Sequence, residues 1–160
     1  MLDVKVRLNN KKVKKMLDDF SMGLPRKADQ ALGRAAQWAQ IKILQRTGQG
    51  TSVTGNPFVA YTKSYQKFKS ERGGTFFKGV PNLRLTGGML GSIDNRKKGK
   101  NHWIIYFRRK DEELKASYHD NLGVGKRGSK TRPFFSLNDR EQDHIEKMIV
   151  KGVDDLLRKI

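Results

Sequence analysis

The sequence predicts a mixed fold of helices and strands that forms one domain over residues 1–160, and three observations support it. Hydrophobic and polar residues alternate from residue 2 to residue 8, which is the period of a half-buried strand. Between Pro25 and Gly48 lies the most apolar stretch of the chain, which predicts a long central helix packed against the sheet. Residues 103–107 are all β-branched or aromatic, which favours a strand over residues 102–108.

Two further helices are predicted near the ends of the chain. After the turn residues Asn9-Asn10, apolar side chains recur at the spacing of one helix face until Gly23 ends the pattern. Asn138 precedes Glu141 by three residues, which is the spacing of a capping box. This pair predicts the start of an amphipathic C-terminal helix that continues toward Ile160.

Shorter elements are predicted between the central and the C-terminal helix. Thr86 is suited to cap a short helix, and the residues after it predict a β-hairpin with a basic turn. Residues 114–119 predict an edge strand or a short turn. The remaining predicted bounds are a helix at 87–92, hairpin strands near 91–96 and 102–108 joined by a turn at 94–101, and a short strand at Pro133-Phe134-Phe135.

Residues 47–82 form an unusually long segment rich in glycine, proline and aromatic residues. Loops of this length inside a compact domain are commonly functional or disordered, and the aromatic residues argue against plain disorder. We therefore expect a partly ordered loop with a short helix near residues 60–71. Its aromatic side chains fit a subunit interface at least as well as a core, whereas Trp38 and Trp103 are predicted to be core residues.

The charge is unevenly distributed. The chain has 34 Lys and Arg against 16 Asp and Glu, a formal net charge of +18. Residues 41–110 contain 15 basic and 2 acidic residues, while residues 111–160 contain 10 of each. Such clustering indicates a surface for a polyanion or an acidic protein, although a solvated basic face explains it equally well. The candidate residues facing DNA or an acidic partner are Arg96, Lys97, Lys98 and Lys100 in the hairpin turn, and Lys126, Arg127 and Lys130 in a second glycine- and lysine-rich loop.

The composition offers little for catalysis. The chain has no cysteine, which excludes disulfides, cysteine-ligated metals and thiol chemistry. The three histidines are scattered, and carboxylates are scarce where basic residues are dense. His119-Asp120 is the best candidate for a base with its orienting acid, but neighbours in sequence rarely face one point. The sequence therefore predicts no enzyme, no catalytic or metal site and no cofactor, and neither a signal peptide nor a membrane span.

Several short motifs occur in an order that is typical of one family. Together they resemble the tailed-bacteriophage virion-morphogenesis proteins, a group of tail-completion and neck proteins, over roughly residues 25–150. The motifs are Arg46-Thr47-Gly48, Gly55-Asn56-Pro57-Phe58, Tyr61-Thr62-x-Ser64-Tyr65-x-x-Phe68-Lys69, Leu83-Arg84-Leu85-Thr86-Gly87-x-Met89-Leu90-x-Ser92-Ile93, Ala116-x-Tyr118-His119-x-x-Leu122-Gly123 and Arg132-Pro133-Phe134-Phe135.

The resemblance implies an α+β fold, with a roughly four-stranded, mainly antiparallel sheet against the long helix. It implies a structural protein whose copies form a ring, commonly six-fold, in the head–tail neck. The ring would complete or terminate the tail and join it to the head connector, with double-stranded DNA in its lumen. Neck stopper or connector proteins and the tail tube protein would be its partners. The implied location is the virion, after assembly in the host cytoplasm and without a membrane.

In such a ring the 47–82 loop and the basic hairpin would provide subunit contacts and lumen surface. The candidate interface residues are Phe58, Tyr61, Tyr65, Phe68, Phe76, Phe77, Arg132 and Phe134. A sequence-independent nucleic-acid-binding protein is the alternative, which the charge alone supports. A nuclease is a third possibility, but it lacks a carboxylate or histidine cluster.

Overall fold

A computed structural model describes residues 4–5, 25–72, 80–124 and 130–157. These residues form a mixed helix-and-sheet structure, as the sequence predicts. In chain order the elements are β1 (Val4–Lys5), α1 (Pro25–Gly48), α2 (Lys63–Arg72), α3 (Gly88–Gly91), β2 (Ile93–Gly99), β3 (His102–Phe107), α4 (Lys110–Ser117), a π-helical turn (Tyr118–Leu122) and α5 (Asp139–Leu157). The helix predicted over residues 10–23 lies outside the described residues.

The long helix α1 confirms the strongest sequence prediction. It spans 24 residues, and its small apolar side chains Ala35, Ala36 and Ala39 are fully buried. Near its end, the Thr47 hydroxyl donates to the Ile43 carbonyl at 2.7 Å, which satisfies this buried side chain within the helix.

The described sheet is smaller than predicted. The hairpin strands β2 and β3 make up most of it, and the two residues of β1 pair antiparallel with β3, in the order β1-β3-β2. A four-stranded sheet is therefore wrong for the described residues. Residues 114–119 belong to α4 and the π-helical turn, and Pro133-Phe134-Phe135 is irregular. Both segments are short, and tertiary contacts override their weak strand propensity.

The hairpin itself is confirmed, but its basic residues are placed differently. Residues 96–99 belong to strand β2, and the turn is confined to Lys100 and Asn101. Asn101 has a positive φ of 53°, which asparagine tolerates better than most residues. The cations thus extend along a strand as well as a turn.

The C-terminal helix starts as its sequence predicts. The Asn138 amide donates to Glu141 Oε2 at 3.1 Å, and the Glu141 amide donates to Asn138 Oδ1 at 2.9 Å. This reciprocal pair is a capping box, and it satisfies two amides at the start of α5. Three buried side chains on one face of α5, Ile145, Ile149 and Val153, anchor it.

The chain divides into two compact units. Of the described residues, unit 1 contains those in 41–94 and 106–136, and unit 2 contains the others. The core of unit 1 includes Phe107 and Phe135, whose ring centroids are 4.6 Å apart. The core of unit 2 includes buried residues of α1, β3 and α5. The single-domain assignment for residues 1–160 stays a prediction.

Both tryptophans lie in unit 2 and are half-buried rather than fully buried. Trp103 Nε1 donates to Asp29 Oδ1 at 3.2 Å, and its ring packs on Gly33, where an added Cβ would lie 3.0 Å from the ring. The ring of Trp38 stacks on His144 at 4.4 Å. The missing side chain of Gly33 therefore allows the Trp103 ring to approach helix α1 closely.

Candidate functional site

Most of the described residues predicted to form an interface come together in unit 1. Thr62 begins helix α2, because its hydroxyl accepts from the Tyr65 amide at 3.3 Å and its carbonyl accepts from the Gln66 amide. This start places Tyr61 just before the helix and Tyr65 and Phe68 on it. The rings form a chain, with 4.9 Å between the centroids of Tyr61 and Tyr65 and 5.9 Å between those of Tyr65 and Phe68.

Tyr61 joins α2 to residues 82–83. Its hydroxyl oxygen accepts from Lys69 Nζ and from the Leu83 amide, both at 3.2 Å. Lys69 Nζ also donates to Asn82 Oδ1 at 2.7 Å. Leu83 has a φ of 53°, an uncommon conformation for a branched side chain, and these contacts hold it there.

Lys69 is buried, with only 1% of its surface exposed. Burial lowers the pKa of its amine to about 8, and the nearby charge of Arg132 acts in the same direction. Burial also raises the pKa of the Tyr61 hydroxyl, so the hydroxyl keeps its proton at neutral pH.

Arg132 is buried beside the same tyrosine. Its Nε donates to the Val59 carbonyl at 3.0 Å, and its guanidinium lies 4.9 Å from the centroid of the Tyr61 ring. Burial lowers the pKa of Arg132. Its backbone amide donates to the His119 carbonyl at 2.6 Å, which brings the π-helical turn next to this cluster.

His119 is the third basic side chain of the cluster. Burial, followed by the charges of Arg132 and Lys69, lowers the pKa of its imidazole to about 4. Its Nδ1 atom is buried and has no hydrogen-bond partner among the described residues. The neutral ring can both donate and accept a hydrogen bond.

A cavity of about 320 Å³ opens within this cluster. Its lining contains six residues with polar side chains, Tyr61, Thr62, Tyr65, His119, Lys130 and Arg132, and two with apolar side chains, Ala60 and Val124. No carboxylate contributes to that described lining. The arrangement of two cationic side chains without a carboxylate can hold an anion.

Asp120 does not orient His119, although the two are neighbours in sequence. Its Oδ1 accepts from the amides of Phe134 and Phe135 at 2.7 and 2.9 Å. Arg46 holds the same segment, because its Nη2 atom donates to the carbonyls of Phe134 and Ser136 at 2.9 and 2.6 Å. Two charged side chains therefore fix the backbone that follows Arg132.

Three of the predicted interface residues are buried inside unit 1 itself. Phe58 and Phe134 are core residues there, as is Arg132, whereas Tyr65 and Phe68 are exposed. Phe76 and Phe77 lie outside the described residues. The interface role of the set stays a prediction, and among its described members only Tyr65 and Phe68 offer substantial surface.

The predicted basic surface is partly described. Arg96, Lys97, Lys98 and Lys100 are exposed, while Lys126 and Arg127 lie outside the described residues. Lys97 pairs with Asp29 at 2.6 Å. Since β2 lies at an edge of the sheet, its charges also discourage pairing with another strand. Lys130 lines the cavity of unit 1.

Sequence reasoning missed an exposed apolar stripe on α4 and the π-helical turn. Leu114, Tyr118 and Leu122 follow one another at four-residue spacing, with 56%, 47% and 58% of their surfaces exposed. The spacing is visible in the sequence, but the prediction of an edge strand or a short turn at 114–119 obscures it. Such a stripe is typical of a surface that another chain covers.

Among the described residues, no three His, Asp or Glu side chains are arranged as a metal site. No helix in the described ranges is long and apolar enough to cross a membrane.

Comparisons with protein-family models, with curated proteins and with solved structures gave no match.

Proposed function

We propose that this chain is a structural subunit of the head–tail neck of a tailed bacteriophage. Copies would associate into a ring that completes or terminates the tail and joins it to the head connector, with DNA passing through the lumen. The proposal starts from the order of motifs over roughly residues 25–150. The observation that carries it further is the distribution of exposed apolar side chains.

Among the residues whose side-chain burial the structure describes, the exposed large hydrophobic side chains all belong to unit 1. They are Ile41, Val59, Tyr65, Phe68, Val80, Leu114, Tyr118 and Leu122. Scattered exposed hydrophobic residues are ordinary, but the regular stripe of Leu114, Tyr118 and Leu122 on one helical face is not. Burying one such side chain on association contributes about 1.5–3 kcal/mol before the costs of association.

A closed ring needs two different surfaces that meet in a head-to-tail contact. The α4 stripe supplies one candidate surface, and the exposed rings of Tyr65 and Phe68 on α2 supply a second. Aromatic residues are enriched at protein interfaces, which favours this assignment. The exposed cations Arg96, Lys98 and Lys100 would face the DNA or an acidic neighbouring protein.

The first test is the size of the assembly. We expect native mass spectrometry of the purified chain over a concentration series, and electron microscopy of neck particles that contain it, to show closed rings with an opening wide enough for duplex DNA. A chain that stays monomeric in solution and also within virions would overturn the proposal.

The second test assigns the contact. The double variant Leu114→Ser, Leu122→Ser changes two exposed side chains and should weaken association at least about tenfold, because it removes apolar area from the interface. Ile41→Ser is the matched control, since Ile41 is also exposed and apolar but lies on α1. Equal weakening by both changes would remove the stripe from the proposed interface.

A sequence-independent nucleic-acid-binding protein is the second candidate, because exposed basic residues follow one another along β2 and its turn. It predicts strong duplex binding by the monomer and a steep salt dependence in gel-shift assays. The variant Arg96→Gln, Lys97→Gln, Lys98→Gln would then reduce the logarithmic salt slope by about 0.9 for each phosphate that is no longer neutralised. Weak duplex binding by the monomer favours the ring instead.

A further inference from the structure

We propose that the cavity in unit 1 between Tyr61, His119, Lys130 and Arg132 is a binding site for a carboxylate group. This inference does not rest on the neck ring, because the cavity lies within one unit of a single chain. The carboxylate would belong to an acidic side chain or chain end of another polypeptide, or to a free carboxylic acid.

Tyr61 is prepared to donate a hydrogen bond. Its oxygen already accepts from Lys69 Nζ and from the Leu83 amide, and a hydroxyl oxygen has two lone pairs. Tyr61 can therefore still donate one hydrogen bond, from its hydroxyl proton, to a ligand. The raised pKa keeps that proton in place at neutral pH.

Arg132 supplies the strongest charge. Its Nε is occupied by the Val59 carbonyl, which leaves the two terminal nitrogens of the guanidinium to donate. Among the described residues, no Asp or Glu oxygen lies within the 4.0 Å ion-pair distance of this guanidinium. A buried cation of this kind gains most from a carboxylate, which accepts a guanidinium in paired hydrogen bonds.

Two further lining groups are suited to the same ligand. Lys130 is half-buried, and its backbone carbonyl accepts from the Val124 amide, which positions the residue at the wall of the cavity. His119 lines the cavity as well, and its neutral ring carries a nitrogen-bound proton that can be donated to a carboxylate.

The burial of Arg132 favours a carboxylate on a slender group over a nucleic-acid phosphate as the ligand. Arg132 has only 3% of its surface exposed, and Tyr61 and Tyr65 provide aromatic walls. Phosphates of duplex DNA are carried on a wide, rigid backbone and bind cations that project from a surface. A side chain or chain end can enter a cavity of about 320 Å³.

The test uses the full chain and four probes at constant ionic strength. The probes are sodium propionate, a blocked peptide with one internal glutamate, a peptide without acidic side chains but with a free C-terminal carboxylate, and inorganic phosphate. Binding is measured as saturable shifts of side-chain NMR signals of Arg132 and His119. The three carboxylate probes distinguish a free acid, an acidic side chain and a chain end as the source.

We expect at least one carboxylate probe to saturate and to bind more tightly than phosphate. Lys130→Gln should weaken that binding at least about tenfold, because it removes a charge-assisted hydrogen bond. This variant keeps the backbone contact of Lys130 and is therefore preferred to Arg132→Gln, which changes a core residue. Lys67→Gln, which removes an exposed charge on α2, is the matched control and should bind as the unmodified chain does.

Three results would overturn the proposal. The first is the absence of saturable shifts with every carboxylate probe. The second is tighter binding of phosphate than of any carboxylate. The third is equal weakening by Lys130→Gln and Lys67→Gln, which would show attraction to the overall positive charge and no site in the cavity.

Discussion

At the scale of single residues, the most unusual feature is a cluster of three basic side chains in the interior of unit 1. Lys69 and Arg132 are almost fully buried and contact Tyr61, and the half-buried His119 lines the same cavity as Tyr61. Burial disfavours the charged form of each group. The stability of the protein should therefore depend on pH in a way that can be traced to individual residues.

His119 gives the first prediction. Its pKa is about 4 in the folded chain and 6.5 when unperturbed, so between these values the unfolded chain binds a proton that the folded chain does not. The free energy of unfolding should therefore fall as the pH is lowered from about 6.5 to about 4, by at most about 3 kcal/mol. His119→Gln should flatten this dependence in urea unfolding at a series of pH values.

The control for this experiment is His144→Gln, which changes an exposed histidine and should keep the slope of the unmodified chain. If His119→Gln leaves the slope unchanged, another group is responsible for the pH dependence, and the burial of the neutral imidazole is not its cause.

Asp120 gives the second prediction. Its carboxylate accepts hydrogen bonds from the amides of Phe134 and Phe135. Hydrogen bonds to a charged group contribute about 1.5–3 kcal/mol each to the free energy of unfolding. Asp120→Ala should lower the free energy of unfolding by about 2 kcal/mol or more. Asp120→Asn should lower the free energy of unfolding by less, because the asparagine side chain retains an acceptor oxygen. Urea denaturation measures both, and Glu71→Ala, at an exposed acid of α2, should change stability by under about 0.5 kcal/mol.

At the scale of elements, the segment after α1 is more ordered than its glycine content suggests. The Phe58 amide donates to the Gly50 carbonyl at 2.7 Å, and the Ser52 amide donates to the Asn56 carbonyl at 2.8 Å. Thr51 and Pro57 form an isolated antiparallel bridge. The glycines therefore support a tight turn that buries Phe58, and the short helix predicted near residues 60–71 follows as α2.

Gly50 gives the third prediction. Its φ is 78°, and an added Cβ would lie 2.8 Å from the Pro81 carbonyl oxygen. Gly50→Ala should therefore lower the free energy of unfolding by about 2 kcal/mol or more, from both backbone strain and the clash. Gly55 has a φ of 86° but open space around it. Gly55→Ala should therefore lower the free energy of unfolding only by the backbone strain, about 1 kcal/mol.

The comparison has its own control in Gly91→Ala. Gly91 lies in α3, has no positive φ and meets nothing within 4 Å, so alanine should be neutral or slightly stabilising there. Chemical denaturation of the three variants should give that order of stability. Equal losses for Gly50→Ala and Gly55→Ala would mean that the turn relaxes around the new side chain.

Helix α4 shows how a local pattern can mislead. Residues 114–119 are too few to separate a strand from a helix by periodicity. The better signal precedes them, since Asp111, Glu112 and Glu113 supply negative charge to the first turn of a helix. Lys115 Nζ then pairs with Glu112 Oε1 at 3.1 Å, three residues back.

At the scale of the whole molecule, the net charge of +18 opposes compaction through self-repulsion. Raising NaCl from about 10 mM to about 100 mM shortens the Debye length from about 30 Å to about 10 Å. The fourth prediction is that the Tm rises over this range in calorimetry. The double variant Lys100→Glu, Lys110→Glu changes two exposed lysines and should show a smaller rise. A Tm that falls with salt would contradict the prediction.

The sequence by itself determined the local structure wherever neighbouring residues carry the whole signal. The apolar period specified the central helix α1, and the pair Asn138 and Glu141 specified the first turn of α5. Hairpin strand β3 followed from its β-branched and aromatic residues. In each of these cases the signal comes from residues that are close in the chain, so pattern and propensity are sufficient.

Only the tertiary structure decided the size of the sheet and the composition of the cavity. The hydrogen bond from Arg132 to Val59 joins residues 73 positions apart in the sequence, and the one from Lys69 to Asn82 joins residues 13 positions apart. No local pattern encodes such contacts. Strand pairing is likewise set by packing more than by intrinsic propensity, so segments 114–119 and 133–135 did not join the described sheet. The sequence thus located the basic charge, and tertiary packing decided which cations are exposed on β2 and which surround the cavity.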